Sequence, residues 1–205
     1  IRATNPCGEQ PLPPYGACLL GSINLAKLVH DPFTDKASMN GTVLDETVKT
    51  AVRMLDSVID VSLFPLEEQQ KEAFLKRRMG IGVTGVADML FMMQYAYGSP
   101  EAAGWLDEVM ERIAITAYRE SIELAKELGP CPATRLNKNR EAFVQSGFMQ
   151  NMPEDVIEGV LEHGIRNALL LSIAPTGTIS MYAGNVSSGI EPIFAPSYKR
   201  KVTQK

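Results

Sequence analysis

The sequence predicts an α/β fold that is rich in helix. Short apolar runs of strand length, such as "CLLGSINLAKLV" and "ALLLSIAP", alternate with longer stretches in which apolar residues recur every three or four positions. Runs rich in Leu, Ile and Val are typical of strands that are buried on both faces of a parallel sheet. Because strands that alternate with amphipathic helices form layered α/β folds, we expect a sheet covered by helices.

Two helices are predicted in the first half of the chain. The apolar residues of segment 43–63 fall at helical spacing, with Thr42 as the candidate N-cap, and Pro65 ends or interrupts the pattern. Segment 67–78 is polar and rich in charge, and it predicts a second helix. The Asp-Pro and Asn-Gly pairs that precede the first helix are typical of turns.

The second half of the chain continues the alternation. An apolar helical stretch covers residues 86–98, and the longest predicted helix covers 100–128, where a Gly-Pro pair stops it. A loop around "CPATRLNKN" leads to a further helix over 153–163. The run "ALLLSIAP" then predicts a buried strand, and a segment rich in Gly, Ser and Thr follows it.

The composition is that of a globular protein and excludes several classes. Of 205 residues, 45% are apolar and 21% are charged, and the formal net charge of −4 argues against a partner that is nucleic acid or an anionic membrane. No apolar run approaches the ~20 residues of a membrane span, and the first residues lack a signal-peptide core. Three cysteines indicate a reducing, cytoplasmic setting. The chain begins without Met on its most unusual loop, so we expect a piece of a longer polypeptide.

The segment "GIGVTG" matches the G-x-G-x-x-G pattern of dinucleotide-binding loops but lacks its context. The preceding residues "FLKRRM" are polar and basic, whereas a dinucleotide-binding loop follows a strand. The acidic residues about twenty positions further on, Glu101 and Asp107, fall at the start of the long helix. We therefore interpret the glycines as a sign of close packing between strand and helix.

The cysteines and histidines do not have the spacing of a metal site. Cys7, Cys18, Cys131, His30 and His163 form neither a C-x-x-C nor an H-x-x-x-H pattern. We expect the two histidines to be surface or capping residues. Cys131 is expected to be a buried or incidental thiol.

The loop "NPCGEQ" is the first candidate functional site. Pro6 and Gly8 flank Cys7 and exclude a regular helix or a central strand. The side chains of Asn5, Cys7 and Glu9 can therefore project from one side of an extended tip.

Three chemistries fit this loop on spacing alone. Cys7 could be a thiolate nucleophile, although no histidine is recognisably placed to activate it. Cys7 and Cys18 could form a redox pair, although their spacing is not diagnostic. The third possibility is a thiol held beside the Glu9 carboxylate, which acts as a base toward a hydroxyl group of a substrate.

The segment "APTGTIS" is the second candidate site. A buried strand that runs into a loop of Thr, Gly and Ser presents N–H groups and hydroxyls at the carboxyl end of the strand. Open α/β folds bind anionic ligands at such positions, especially where a helix begins. An ordinary polar turn fits the spacing equally well.

Four stretches together resemble the catalytic subunit of ribonucleotide reductase. They are "NPCGEQPLPPYGACLLGSINL", "LDSVIDVSLFPL" with "KRRMGIGVTGVADML", "HGIRNALLLSIAPTGTIS" and "AGNVSSGIEP", and they extend from Thr4 to about Pro192 in the order of the family. "NPCGEQ" and "IAPTGTIS" are similar to the adenosylcobalamin-dependent class, and the large subunit of the di-iron class is the alternative.

The resemblance implies part of a ten-stranded α/β barrel that is built from two half-barrels. Residues 1–205 would be a partial catalytic barrel domain, with residues 1–18 as the finger loop and residues 19–205 as the second half-barrel. The first half-barrel would be a missing N-terminal partner. A half-barrel that has lost catalysis and kept only an assembly role is a further alternative.

The resemblance also implies the roles of individual residues. Cys7 matches the cysteine that carries a thiyl radical, Glu9 the base toward the 3′-hydroxyl, and Asn5 a ligand of the sugar. Cys18 matches one of the two cysteines that form a redox-active disulfide, with its partner outside this chain. The residues that match substrate contacts are Asn5, Pro6, Cys7, Gly8, Glu9, Pro175, Thr176, Gly177, Thr178, Ile179 and Ser180.

The implied activity is the reduction of ribonucleotides, as diphosphates, to 2′-deoxyribonucleotides. The implied cofactor is adenosylcobalamin, and the implied partners are the ribonucleotide, the first half-barrel and a thioredoxin-like or dithiol reductant. An isolated half-barrel would expose sheet edges and an apolar face, so we expect a homo-oligomer.

Overall fold

The computed structural model describes residues 1–195, 197 and 199. Six strands lie in this part of the chain: β1 (Ala3–Thr4), β2 (Pro11–Leu12), β3 (Leu19–Asn24), β4 (Val29–His30), β5 (Ser38–Met39) and β6 (Met79–Thr84). The same part contains seven α-helices: α1 (Gly41–Val61), α2 (Glu67–Lys76), α3 (Val86–Met92), α4 (Pro100–Leu128), α5 (Asn137–Val144), α6 (Glu154–His163) and α7 (Ile179–Tyr182). The end of the predicted half-barrel, at 196, 198 and 200–205, lies outside the described residues.

The central feature is a parallel pair of strands, β3 and β6, and it confirms the α/β class. Leu19 lies opposite Met79 and Asn24 opposite Thr84, while helices α1 and α2 form the crossover between the two strands. A crossover is what a parallel pair requires, because a short turn cannot return the chain to the same end of the sheet. Helices α1 and α4 pack together over this pair, and the buried core lies between them and the strands.

Strand β6 lies in the middle of the sheet and contains the glycines of the "GIGVTG" motif. All six residues of the strand are buried. A Cβ atom on Gly82 would lie 2.2 Å from the Ser172 carbonyl oxygen, and one on Gly80 would lie 2.8 Å from Leu20. The glycines therefore allow close packing, as predicted, but their neighbours are extended segments rather than a helix. Their place inside a strand excludes a dinucleotide-binding loop.

The predicted strand "ALLLSIAP" is extended beside β6 but is not a regular strand. One parallel bridge joins Leu171 to Ile81. The N–H groups of Met79 and Ile81 donate to consecutive carbonyls, those of Leu169 and Leu170. Met79 and Ile81 are two positions apart on β6, but the carbonyls that they bind belong to adjacent residues. The regular hydrogen-bond pattern of a parallel pair therefore breaks at this point.

Most of the predicted helices are present, with corrections at their ends. The helix over 100–128 is confirmed. The first helix begins at Gly41, and its N-cap is Asn40 rather than Thr42, because the Asn40 side chain accepts a hydrogen bond from the N–H of Val43. The second helix ends at Lys76, two residues early, because Arg77 adopts a left-handed conformation with φ of 47°.

Three further predictions need correction. The stretch predicted over 86–98 is helical only in α3, and Gln94 follows with a left-handed φ of 63°. Helix α5, over Asn137–Val144, was predicted as loop; its polar composition gives little apolar periodicity, and it buries only Val144. Helix α6 begins at Glu154, with Pro153 at its N-cap, one residue later than predicted.

A buried polar network ties α1 to the start of β6. The Asp56 carboxylate accepts hydrogen bonds from Arg77 Nε at 2.7 Å, Asn167 Nδ2 at 2.8 Å and Arg166 Nε at 3.1 Å. The Arg77 guanidinium also binds Asp60, where its hydrogen bond holds the pKa of that carboxyl below its ordinary value. Because Asp56 and Arg77 are almost fully buried, their opposite charges compensate each other inside the protein.

Of the helices in the described part of the chain, none combines the length and the apolar character that a membrane crossing requires.

Replacing Gly82 with Ala should destabilise the protein, because the added methyl group meets the fixed backbone of Ser172. We expect a loss of about 1–3 kcal/mol in the free energy of unfolding, measured by urea denaturation. Gly104 is the control, since it lies inside α4 with open space around it. There, alanine should leave the stability unchanged or raise it by up to about 1 kcal/mol. Equal effects at the two positions would contradict the close packing of β6.

Replacing Asp56 with Ala should cost about 3–5 kcal/mol of stability, because it removes the buried carboxylate of the network and leaves Arg77 with Asp60 as its one carboxylate partner among the described residues. The control is Asp155→Ala, which removes a carboxylate paired with Arg119 at the surface and should cost about 1 kcal/mol or less. Urea midpoints of the two variants provide the comparison. A cost for Asp56→Ala as small as that of the control would show that the buried network is dispensable.

Candidate active site

The "NPCGEQ" segment is the tip of a β-hairpin. Strands β1 and β2 pair antiparallel, with Ala3 opposite Leu12, and residues 5–10 form the loop between them. The N–H of Gln10 donates to the Asn5 side-chain oxygen at 2.9 Å, and the N–H of Gly8 donates to the Asn5 carbonyl at 3.0 Å. Asn5 therefore closes the loop with its own oxygens.

The hairpin is docked on the extended segment beside β6. The Gln10 side chain is 3% exposed, and its Nε2 donates to the Leu171 carbonyl at 3.4 Å. The Ser172 hydroxyl donates to the Glu9 carbonyl at 3.2 Å. These two contacts attach the tip to the segment that continues into "APTGTIS".

Glu9 is the most unusual residue of the loop. Both oxygens of its carboxylate are buried, and neither has a hydrogen-bond partner in the described part of the chain. A buried polar group without a partner costs free energy, and a carboxylate costs more than a neutral group. Glu9 is thus an acceptor placed for a donor that the described residues do not supply.

The two cysteines near the loop lie in different surroundings. Cys7 is exposed at the tip of the hairpin, whereas Cys18 is partly buried and lies just before β3. Burial raises the pKa of the Cys18 thiol to about 12; the nearby Arg78 guanidinium lowers it and the Glu9 carboxylate raises it further. Cys18 is therefore a neutral thiol at ordinary pH, with Glu9 and Arg78 in its surroundings.

The "APTGTIS" loop is held by its own hydroxyl groups. Thr176 is buried in a left-handed conformation with φ of 53°, and its Oγ1 lies 3.0 Å from Thr84 Oγ1 and accepts from the N–H of Gly189 at 2.7 Å. Ser180 is also buried, and its hydroxyl donates to the Gly177 carbonyl at 3.3 Å. Gly177 and Thr178 are exposed just before the one-turn helix α7.

Two side chains at the carboxyl ends of the strands support this loop and were not predicted from the sequence. Thr84, the last residue of β6, binds Thr176 and donates to the Ser187 carbonyl. Asn24, the last residue of β3, donates to the Ala183 carbonyl at 2.8 Å, while its buried Oδ1 has no partner among the described residues. A polar residue at the end of each parallel strand is the signal that could have indicated them.

The structure thus brings together some of the predicted site residues. Glu9 lies near Cys18, and the hairpin contacts the segment that leads, four residues later, into Thr176. Gln10, Ser172 and Arg78 were missed. Ser172 could have been suspected as the polar residue inside "ALLLSIAP", but nothing local marks the other two.

The remaining cysteine and the histidines lie elsewhere. Cys131 is fully buried with its sulfur 3.5 Å from Thr134 Oγ1, as expected of a buried thiol. His30 is exposed beside Asn40, and His163 lies at the end of α6 beside Glu162. In the described part of the chain, no group of three His, Cys, Asp or Glu residues could hold a metal ion.

Comparisons with known proteins agree with the resemblance seen in the sequence. The family model described as "Ribonucleotide reductase, barrel domain" matches residues 1–205. The vitamin B12-dependent ribonucleoside-diphosphate reductase of Mycobacterium tuberculosis (strain H37Rv) is 41% identical over 98% of this chain and 25% of its own length. The protein of that name from Thermoplasma acidophilum is 43% identical over 98% of this chain and 23% of its own.

A relative with another name is less similar. The ribonucleoside-diphosphate reductase subunit alpha of Chlamydia trachomatis is 34% identical over 95% of this chain and 20% of its own length. The chain spans about a quarter of the length of the two B12-dependent relatives. Because the family model covers every residue from 1 to 205, this chain belongs to the ribonucleotide reductase family and lies within its barrel domain.

Proposed function

We propose that this chain forms the finger loop and second half-barrel of a ribonucleoside-diphosphate reductase that uses adenosylcobalamin. The observation that carries the proposal is the buried carboxylate of Glu9, which has no partner among the described residues and lies two residues from the exposed thiol of Cys7. Both sit on a hairpin docked beside a loop suited to phosphate. The B12-dependent relatives, at 41–43% identity against 34% for the Chlamydia trachomatis protein, favour this class over the di-iron class.

Cys7 and Glu9 act on neighbouring atoms of one ribose. The Cys7 sulfur, as a thiyl radical, takes the 3′-hydrogen atom and becomes a thiol, which leaves a radical on the sugar carbon. Glu9 accepts the proton of the adjacent 3′-hydroxyl as a general base. Its two oxygens need a donor, and a sugar hydroxyl would satisfy one of them. A loop only a few residues long holds both groups in reach of the same sugar.

Asn5 and the second loop would bind the rest of the substrate. The Asn5 oxygen already accepts from Gln10, so its amide nitrogen is the group available for the sugar. The phosphates would lie at Pro175–Ser180, where exposed Gly177 and Thr178 precede the first turn of α7. The N–H groups of Ser180 and Met181 already donate to carbonyls of the loop. A phosphate would therefore bind the preceding N–H groups, those of Gly177, Thr178 and Ile179, which have no acceptor among the described residues. The hydroxyls of Thr176 and Ser180 hold the loop in shape.

Cys18 would supply reducing equivalents together with a second cysteine from the rest of the barrel. In the overall reaction two thiols become a disulfide, the 2′-hydroxyl leaves as water, and the ribose becomes deoxyribose. A dithiol or thioredoxin-like protein would then reduce the disulfide. The odd number of cysteines supports a reducing compartment, the cytoplasm, as the place of this reaction.

The position of Cys7 fits a bulky radical-generating cofactor. The described residues leave its side chain exposed at the tip of the hairpin, so this part of the barrel leaves space for a large group beside the sulfur. When bound, adenosylcobalamin would supply the radical that oxidises the Cys7 thiol. The residues of this chain hold the thiol, the base and the phosphates in place around the substrate.

Replacing Cys7 with Ser should abolish formation of deoxyribonucleotide, because a hydroxyl cannot replace the thiol as the radical carrier. The assay uses the full-length protein that contains this sequence, with adenosylcobalamin, a dithiol and a ribonucleoside diphosphate. Cys131→Ala is the control, since that buried thiol lies outside the site. Deoxyribonucleotide formation by the Cys7→Ser variant at the level of the control would refute the proposal.

Replacing Glu9 with Gln should lower kcat by about 10²–10⁴-fold and change KM little, because the amide keeps the shape but cannot accept the proton. Steady-state kinetics of the same protein provide the measurement. Glu191→Gln, at an exposed carboxylate of the described chain, serves as the control. An unchanged kcat for Glu9→Gln would exclude Glu9 as the base.

We also propose that the chain self-associates when it is studied without the rest of the barrel. Within the described residues β3 pairs only with β6, and Leu63, Tyr182 and Phe194 are 98%, 88% and 87% exposed. An open strand edge and exposed apolar side chains favour association. Light scattering should therefore show a mass that rises with concentration, and a constant monomer mass would contradict the proposal.

A further inference from the structure

Arg78 and Cys18 lie side by side where the two parallel strands begin. Leu19 pairs with Met79, so Cys18 and Arg78 are the residues immediately before the first pair. Residues at matching positions of neighbouring parallel strands project from the same face, with the strands about 5 Å apart. Both side chains also line one small cavity of about 30 Å³, together with Ser62, Phe64 and the apolar residues around them.

The charge of Arg78 is incompletely neutralised. Its side chain is 6% exposed, and its Nε has no hydrogen-bond partner in the described part of the chain. Its ion pair joins Nη1 to Glu72 Oε1 at 3.4 Å, whereas the same oxygen binds Lys76 Nζ at 2.6 Å. A guanidinium is always charged, and a buried charge needs close partners. Arg78 therefore has an unmet capacity to interact with a negative group.

The charged groups around Cys18 come from three elements. Arg78 approaches from the start of β6 and favours a negative sulfur, while Glu9 approaches from the hairpin and opposes it. Glu72 on α2 acts indirectly, because it partly neutralises Arg78. Ser62, which follows α1 in the cavity wall, is uncharged. Arg78 is thus the one cation, among the described residues, that counters the effect of burial on this sulfur.

We infer that Arg78 is a positioning residue for Cys18: its guanidinium stabilises negative charge on the Cys18 sulfur whenever that sulfur is a thiolate. The inference rests on the proposed function for the step in which this matters. When the disulfide that contains Cys18 is reduced, a thiolate of the dithiol attacks the other sulfur and the S–S bond breaks. The electron pair of that bond goes to Cys18, and the resulting thiolate then takes a proton from water.

The inference can be tested by the alkylation of Cys18 with iodoacetamide, in which the thiolate forms an S–C bond and iodide leaves. The rate is proportional to the fraction of thiolate, and peptide mass spectrometry separates Cys18 from the other cysteines of the full-length protein. The variants are Arg78→Met, which removes the charge, and Arg78→Lys, which keeps it. Glu72→Gln removes the carboxylate that competes for Arg78. All alkylation rates are measured at pH 9 without urea, and the urea midpoint of each protein is measured separately.

We expect Cys18 in Arg78→Met to react about tenfold more slowly than in Arg78→Lys, as a rise of one pKa unit would produce. Glu72→Gln should react faster than the unmodified protein by more than the fall in its urea midpoint accounts for, because the amide can still accept a hydrogen bond from Arg78 but does not neutralise its charge. A purely structural role predicts the reverse for Arg78→Met, because a loosened protein exposes the thiol and speeds its alkylation. Equal or faster alkylation in Arg78→Met than in Arg78→Lys would overturn the inference. If Arg78→Met does not fold, an unchanged rate in Glu72→Gln would overturn it.

This test is independent of turnover, so its failure differs from failure of the proposed function. If Arg78→Met and Arg78→Lys are alkylated at the same rate while the protein still forms deoxyribonucleotide, the role of Arg78 is refuted and the proposed function stands. The expected rate difference without any deoxyribonucleotide formation would uphold the electrostatic role and refute the reductase assignment.

Discussion

Three parallel backbone segments approach one another closely: β3, β6 and the extended segment that contains Leu171. The rest of the structure depends on this close packing. Gly80 and Gly82 allow β3 and the segment beginning near Asn167 to lie against the two sides of this strand. Each neighbour carries one part of the candidate site, Cys18 before β3 and the "APTGTIS" loop after the other segment. The hairpin then attaches through Gln10 and Ser172. Without that packing, the site residues would not be held close to one another.

The buried hydrogen-bond network of Asp56 holds the same segments together just before β6 begins. It joins α1, the start of β6 and the segment at Arg166 and Asn167. These residues lie in two of the four stretches that resemble the reductase family, "LDSVIDVSLFPL" with "KRRMGIGVTGVADML", and "HGIRNALLLSIAPTGTIS". Part of that resemblance therefore reflects the need to satisfy charges in the interior rather than contact with substrate.

The polar atoms that lack partners are concentrated around the candidate site. In the described part of the chain they belong to Glu9, Asn24 and Arg78. Glu9 lies on the hairpin, Asn24 at the carboxyl end of β3, and Arg78 beside Cys18. Interiors rarely leave such groups unsatisfied unless a ligand, a water or another part of the protein provides for them. Their location agrees with a site whose substrate and remaining walls come from outside this chain.

Local pattern and composition were enough to predict the α/β class, the long helix over 100–128 and the family, because periodicity and contiguous motifs are properties of neighbouring residues. They were also enough to single out Cys7, Glu9 and the loop at Pro175–Ser180. Local pattern placed the end of α2 wrongly, because the left-handed turn at Arg77 is accompanied by ion pairs with Asp56 and Asp60, which lie on α1. It likewise missed Gln10, Ser172 and Arg78. What those residues do depends on which distant segment packs beside them, and only the tertiary structure decides that.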